Sequence, residues 1–230
     1  MSSPIAKQHR SPLDHALIST HRKLSHSRRI ALLAEEFTSR IDGLRSAPSR
    51  PIRVLDVGCG DMTLADAILA LRDQIEFACV DVHPCPTELI EKDPRWSRYR
   101  QFDGQLLPFE KHEFDVVMFA DVLHHVPAQL RSRLLASAAR VGHSVLIKDH
   151  FEYGWLSRQA LRAMDFVGNF GYGVSIPDRY FDHSSFTDLC GSAGVACQRV
   201  EVGLKMYEHL PVLRSVLRPE WHFFATCRAR

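Results

Sequence analysis

The chain has 230 residues, 45% of them apolar, with 29 basic against 27 acidic side chains and a formal charge of +2. So even a balance argues against a polyanion as main partner, hence against nucleic acid, and no apolar run reaches membrane-spanning length or forms a leader, which points to a cytoplasmic protein. The six cysteines include no Cys-x-x-Cys pair, as expected of reduced thiols, and the length suits one core with appendages.

In chain order, residues 1–12 are polar and hold two prolines, the mark of a frayed tail. Ile30, Leu33, Phe37, Ile41 and Leu44 then recur in steps of three and four, which predicts an amphipathic helix beginning near Ser25 or Ser27, with a shorter helix over roughly 13–24 before it. Arg10, Arg22, Lys23, Arg28 and four histidines lie between Lys7 and Arg29. They read as a solvated helix face or as a patch for an anionic substrate or a membrane surface, so peripheral membrane contact stays open. Residues 1–48 form a tail and helical cap, residues 46–51 a linker, and residues 49–230 the main domain.

Ile52 to Val57 is a short β-branched apolar run of the kind that makes a buried strand, and helical spacing resumes at Met62. Gly58-Cys59-Gly60 is therefore a strand-to-helix turn that bends sharply and admits a ligand close to the backbone, as nucleoside-binding turns do. A dinucleotide would set its pyrophosphate on the amides of that helix N-terminus, where Asp56 and Asp61 repel it; a cationic nucleoside is favoured. Ile75 to Val80 predicts a second buried strand ending in Asp81, about 20 residues past the turn, a spacing that suits a carboxylate accepting both ribose hydroxyls. The loop from Val82 would cover the base, a helix around 87–93 would follow, and a third strand is expected near 98–102.

Asp56-x-Gly58-x-Gly60, then Phe102-Asp103-Gly104, then Phe114-Asp-Val-Val-Met-Phe-Ala120 and Asp121-Val-Leu-His-His-Val126 follow one another in order. Over residues 52–149 this succession resembles the class I S-adenosylmethionine-dependent methyltransferases, in particular the ubiquinone and menaquinone biosynthesis enzymes and related small-molecule methyltransferases. The resemblance implies an α/β fold, a doubly wound and mostly parallel seven-stranded sheet with an antiparallel edge strand, N-terminal helices and a lid insertion. It implies S-adenosylmethionine as cofactor and S-adenosylhomocysteine as product. The binding residues would be Asp56, Gly58, Cys59, Gly60, Asp81, Val82, Asp103, Gly104, Ala120 and Asp121, with Asp103 accepting from the adenine amino group. Met62 departs from the family's third glycine and would set a bulky side chain near the methionine end of the ligand.

Pro127 opens a helix in which Leu130, Leu134, Ala138 and Val141 repeat and which Gly142 closes; a strand from Ser144 to Ile147 then runs into Lys148-Asp149-His150. This triplet points at the same crevice as Gly58 and Asp81, because ligands of open parallel sheets lie outside the carboxyl ends of the strands. Residues 151–182 are rich in aromatic residues and glycine: a helix to Gly168, on the period of Leu156, Ala160, Ala163, Met164 and Val167, then loop. They form either an aromatic-walled substrate lid or an ordinary packed excursion. Ser184 or Ser185 would cap a further helix, and Val195–Val202 and Trp221–Arg228 would be antiparallel strands.

Methyl transfer needs an acceptor held against the methyl group and, for a hydroxyl, a base that titrates near neutrality. His150 is the leading candidate, with Asp149 beside it to fix its tautomer; His124 and His125 are the other catalytic candidates, with packing or helix-end roles as their alternative. No histidine pair shows metal-ligand spacing, and no metal is expected. The expected function is O-methylation of a small molecule, aromatic or lipid-like; its alternatives are C-methylation of a prenylated quinone-like or lipid substrate and, in other classes, an NAD(P)-dependent oxidoreductase or a non-catalytic S-adenosylmethionine-binding protein.

Overall fold

The computed structural model describes residues 12–44, 50–85, 93–168, 176–207 and 217–230, with side chains in the first segment from Ser27 onward. Residues 1–11 of the expected tail over 1–12, residues 46–49 of the linker and residues 87–92 of the helix expected around 87–93 lie outside the described residues.

Seven strands form one sheet in the order β3-β2-β1-β4-β5-β7-β6. They are β1 Ile52–Val57, β2 Ile75–Asp81, β3 Tyr99–Gln101, β4 Phe114–Ala120, β5 Gly142–His150, β6 Val195–Val202 and β7 His222–Ala229. β1 to β5 pair parallel, and β7 runs antiparallel to both β5 and β6, so the reversed strand lies one place in from the edge. The helices are α1 Pro12–Leu44, α2 Thr63–Leu71, α3 Ala128–Val141, α4 Trp155–Gly168 and α5 His183–Ser192.

Helices cover both faces, which is why β1, β4 and β5 read as continuous apolar runs with no alternation. One face packs Val54, Met118, Leu146 and Phe224 beneath α1 and α2. The other packs Leu55, Val117, Ile147 and Phe223 beneath α3 and α5. The N-terminal segment is a single helix, not the two expected: the stripe of Leu33, Phe37 and Ile41 is buried, and Phe37 meets Phe224 of β7 edge-on at 4.7 Å. Ser25 and Ser27 therefore lie mid-helix and not at a helix start. The cap of α5 is Asp182, with Ser185 completing the capping box from the third helical position.

Two further differences set the site. β5 extends to His150, three residues past the expected end, because β7 pairs with it along that length, up to the His150–His222 register. In a pleated strand Lys148 and His150 then share one face and Asp149 takes the other. Among the described side chains of α4 the buried ones are Ser157, Leu161 and Asp165, whereas Leu156, assigned to the apolar period, is 76% exposed.

Candidate active site

The crevice opens at the carboxyl ends of the parallel strands. On its β1–β2 side Gly58 adopts φ +76°, and a Cβ there would stand 2.6 Å from a Val122 methyl group, so only glycine lets the loop after β4 come this close. The Gly58 and Cys59 amides donate to the Val80 carbonyl at 2.8 and 3.2 Å, tying the turn to β2. Gly60 has φ +53° and nothing within 4 Å of its Cβ position, leaving open space above the turn. Asp81 accepts from the Gly60 amide at 3.0 Å through Oδ2 and contacts His83 Nδ1 at 2.8 Å through Oδ1. Asp56 is buried in β1, and burial, reinforced by the charge of Asp81, pushes its carboxyl up to about 7.

Met62 does not crowd this crevice as expected. Its backbone takes the left-handed φ of 62° that glycine would adopt freely, at a cost of about 1–2 kcal/mol, while its side chain is fully buried in the core under α2. Val82 is half exposed, and its Cγ1 lies 3.1 Å from the Cβ position of Gly104. Asp103 Oδ1 accepts from the Gln105 and Leu106 amides at 2.8 and 2.9 Å, which holds the turn after β3. The amides that spread Asp103's charge, Leu106's first, hold its carboxyl below the usual range.

Across the crevice, Asp121, past half-buried Ala120 at the end of β4, accepts from Lys148 and from Arg29 of α1. Lys148 is fully buried, 3.4 Å from His150 Nε2 and 3.3 Å from His222 Nδ1. Burial opposes a charge on Asp121, but Lys148, with Arg29, outweighs it and holds the carboxyl well below its usual range. Lys148 and His150 are both pushed down, chiefly by burial. Near neutrality His150 is thus uncharged, its Nε2 lone pair facing the Lys148 ammonium and its Nδ1 3.4 Å from Asp121.

Asp149, expected beside His150, serves His124. Its Oδ1 accepts from His124 Nδ1 at 2.6 Å, against 3.8 Å to His150 Nδ1. The far nitrogen, His124 Nε2, is buried with no hydrogen bond and lies 3.3 Å from Asp165 Oδ2 of α4, whose carboxylate also accepts from the Tyr180 hydroxyl. Burial works against charge on His124, yet Asp149 and Asp165 overcome it and raise the imidazole to about 10. His124 and His125 lie in the turn before α3, not in the helix, with ring centroids 4.0 Å apart.

The fold thus brings Asp56, Gly58, Cys59, Gly60 and Asp81 together on one side and Asp121, His124 and His150 on the other. Sequence reasoning missed Arg29, Asp165, Tyr180, Tyr207 and His222. Tyr207 is buried, donates to the Met164 sulfur at 3.1 Å and stacks obliquely on His222. One signal was available: Asp165 follows Leu161 by four residues, an acid on a buried helical stripe. His124, Asp149 and His150 also bring ligand atoms within 4.8 Å of one another, as do His124, His125 and Asp165. Spacing could not reveal these sets, because strand, turn and helix contribute one or two residues each.

Residues 55–144 match the model of a methyltransferase domain. The chain carries a methyltransferase domain. Its motifs and strand order are similar to those of the class I S-adenosylmethionine-dependent enzymes. Among solved structures, the mitomycin 7-O-methyltransferase MmcR is 16% identical and superposes with a TM-score of 0.58, over 87% of this chain and 53% of that one. A SAM-dependent methyltransferase from Aquifex aeolicus is 14% identical with a TM-score of 0.57, over 91% and 97% of the two chains. The O-methyltransferase NcsB1, complexed with S-adenosylhomocysteine and 1,4-dihydroxy-2-naphthoic acid, is 16% identical with a TM-score of 0.51, over 77% and 49%. The chain spans about half the length of the MmcR and NcsB1 proteins. No curated protein matches the sequence at a significant level.

The cofactor of the methyltransferase domain is S-adenosylmethionine, and the turn suits it: open space over Gly60, carboxylates at Asp56 and Asp81, and no pairing of either carboxylate with Lys or Arg among the described residues. That donor set receives hydroxyls and a cation and repels a pyrophosphate. Among the described residues no helix is long and apolar enough to cross a membrane.

Proposed function

We propose that the domain methylates a hydroxyl group of a small aromatic acceptor and that His124 takes the proton. The observation that carries this reading is the buried Asp149–His124 pair, whose far nitrogen has no hydrogen bond of its own. When bound, S-adenosylmethionine supplies an electrophilic methyl group, so the chain need only position a nucleophile, exclude water and remove a proton. Asp81 would hold the ribose hydroxyls and Asp103 the adenine amino group. Asp149 orients His124 through Nδ1 and stabilises the imidazolium formed as Nε2 accepts the hydroxyl proton. His150, whose Nε2 faces Lys148, is less suited to that task and serves instead to pack the charge cluster. The acceptor's hydroxyl would take the place beside Nε2 that Asp165 holds here, which assigns α4 and the aromatic segment around it to a lid, and α1, through Arg29, to the cap of the same crevice.

Support for an aromatic hydroxyl comes from the O-methyltransferases that share the fold, NcsB1 with its dihydroxynaphthoic acid among them. The test is a panel of hydroxyaromatic acceptors with labelled cofactor, followed by His124→Gln on whichever acceptor is methylated. A rate loss of about 100-fold or more with cofactor affinity little changed is expected, since general-base catalysis contributes that much. Unchanged turnover in His124→Gln removes the base assignment, and a methyl group found on carbon in the product removes the O-methyl reading.

A further inference from the structure

At the other end of the sheet three sulfurs converge. Cys190 comes from the last turn of α5, Cys197 from β6 and Cys227 from β7, and their Sγ atoms all lie within 4.8 Å of one another. Cys197 and Cys227 are directly paired across the two antiparallel strands with their sulfurs 3.2 Å apart, and the register shifts just after Cys197. Cys227 pairs with Val145 of β5 and His222 with His150, so this cluster stands about 17 Å along the sheet from the charge cluster of the active site.

Buried free cysteines often serve as small apolar packing groups, and Cys190 and Cys227 lie in the core in that way. Packing alone does not ask three elements to aim three thiols at a common point. Thiolates bound to a tetrahedral zinc ion, at about 2.3 Å each, sit about 3.8 Å apart, a spacing that the observed range of 3.2 Å to at most 4.8 Å brackets. Cys197 and Cys227 are free thiols, their sulfurs 3.2 Å apart and not joined in a disulfide, whose bond is about 2.0 Å. Cys197 is the half-exposed member, on the outermost strand, and gives an ion an entry path and an open coordination position.

We propose that Cys190, Cys197 and Cys227 form a binding site for one thiophilic divalent cation of the zinc class, which clamps α5 to the β6–β7 edge. Three sulfur ligands without a carboxylate or imidazole select a soft or borderline cation over magnesium or calcium. Binding transfers no electrons: each sulfur donates a lone pair to the ion and its thiol proton passes to solvent.

The test is titration of the reduced chain with Co(II), then displacement by Zn(II). One equivalent should produce the intense near-ultraviolet absorption of thiolate-bound cobalt, Zn(II) should bleach it, and Zn(II) should slow alkylation of Cys197 at least about tenfold. Cys197→Ser and Cys227→Ser should each weaken binding by about 100-fold or more, whereas His124→Gln should leave it intact. Cys197→Ser, at the half-exposed position, is the variant least demanding on the fold, and circular dichroism checks that it is folded. The proposal is overturned if the reduced, folded chain shows no thiolate absorption, if the absorption survives Cys197→Ser, or if it disappears in His124→Gln and so belongs to the active-site histidines.

Discussion

On the β1–β2 side of the crevice the chemistry comes from a turn and two strand ends close together in the chain; on the β4–β5–β7 side it comes from α1, a turn, two strands and α4, drawn from the whole length. The first side presents backbone amides, glycines at left-handed φ and carboxylates without a lysine or arginine partner among the described residues; the second presents buried cations, imidazoles and carboxylates that neutralise one another. A turn that binds a nucleoside needs local geometry and some open space. A site that moves a proton needs charges in a dry setting, and such charges persist only where several elements pair them. The two sides should accordingly fail in different ways, the cofactor side through affinity and the acceptor side through stability and pH dependence.

The largest contrast is expected from Asp121→Ala. It leaves buried Lys148 without its carboxylate and Arg29 without its anchor, so denaturant unfolding should show a loss of about 3–5 kcal/mol. A loss below about 1 kcal/mol would mean that the cluster is hydrated and that the two sides do not differ as described. Asp81→Ala should do the reverse: calorimetry should find adenosylhomocysteine binding weaker by about 1.5–3 kcal/mol, with a smaller loss of stability than Asp121→Ala, because the substitution frees the Gly60 and His83 groups and strands no buried lysine. Equal affinity in wild type and Asp81→Ala would remove Asp81 from the ribose.

The smallest expected effect is in pH dependence. His124 is raised to about 10 in the folded chain from an ordinary value near 6.5, so its protonation stabilises the fold fully below about 6.5 and the contribution fades as pH rises toward about 10. The same imidazolium has no lone pair to take a proton, so the methylation rate should rise through alkaline pH. Asp165→Asn removes one of the charges that hold His124 protonated and should move the rising limb down by about one pH unit or more, with more turnover near neutrality. A limb that stays in place would separate Asp165 from the base.

Local pattern determined much of this protein. The β-branched run of β1, the glycine turn at 58–60, Asp81 at the end of β2 and the apolar stripe of α1 follow from the period of the side chains and the φ that glycine alone adopts freely, so the strands and the cofactor turn could be placed before any coordinates. Tertiary structure decided the acceptor side. Pairing with β7 carried β5 on to His150, and the pleat then turned Asp149 away from its neighbour and toward His124. Packing on α2 sent the Met62 side chain into the core, although its position in the motif pointed to the ligand. Arg29, Asp165 and His222 reach the crevice from positions that carry no motif, and the three cysteines that meet behind it share no spacing. Periodicity along a chain reports which face of an element is covered. It does not report which residue of a distant element covers it, and buried charges, imidazoles and thiols take their properties from that neighbour.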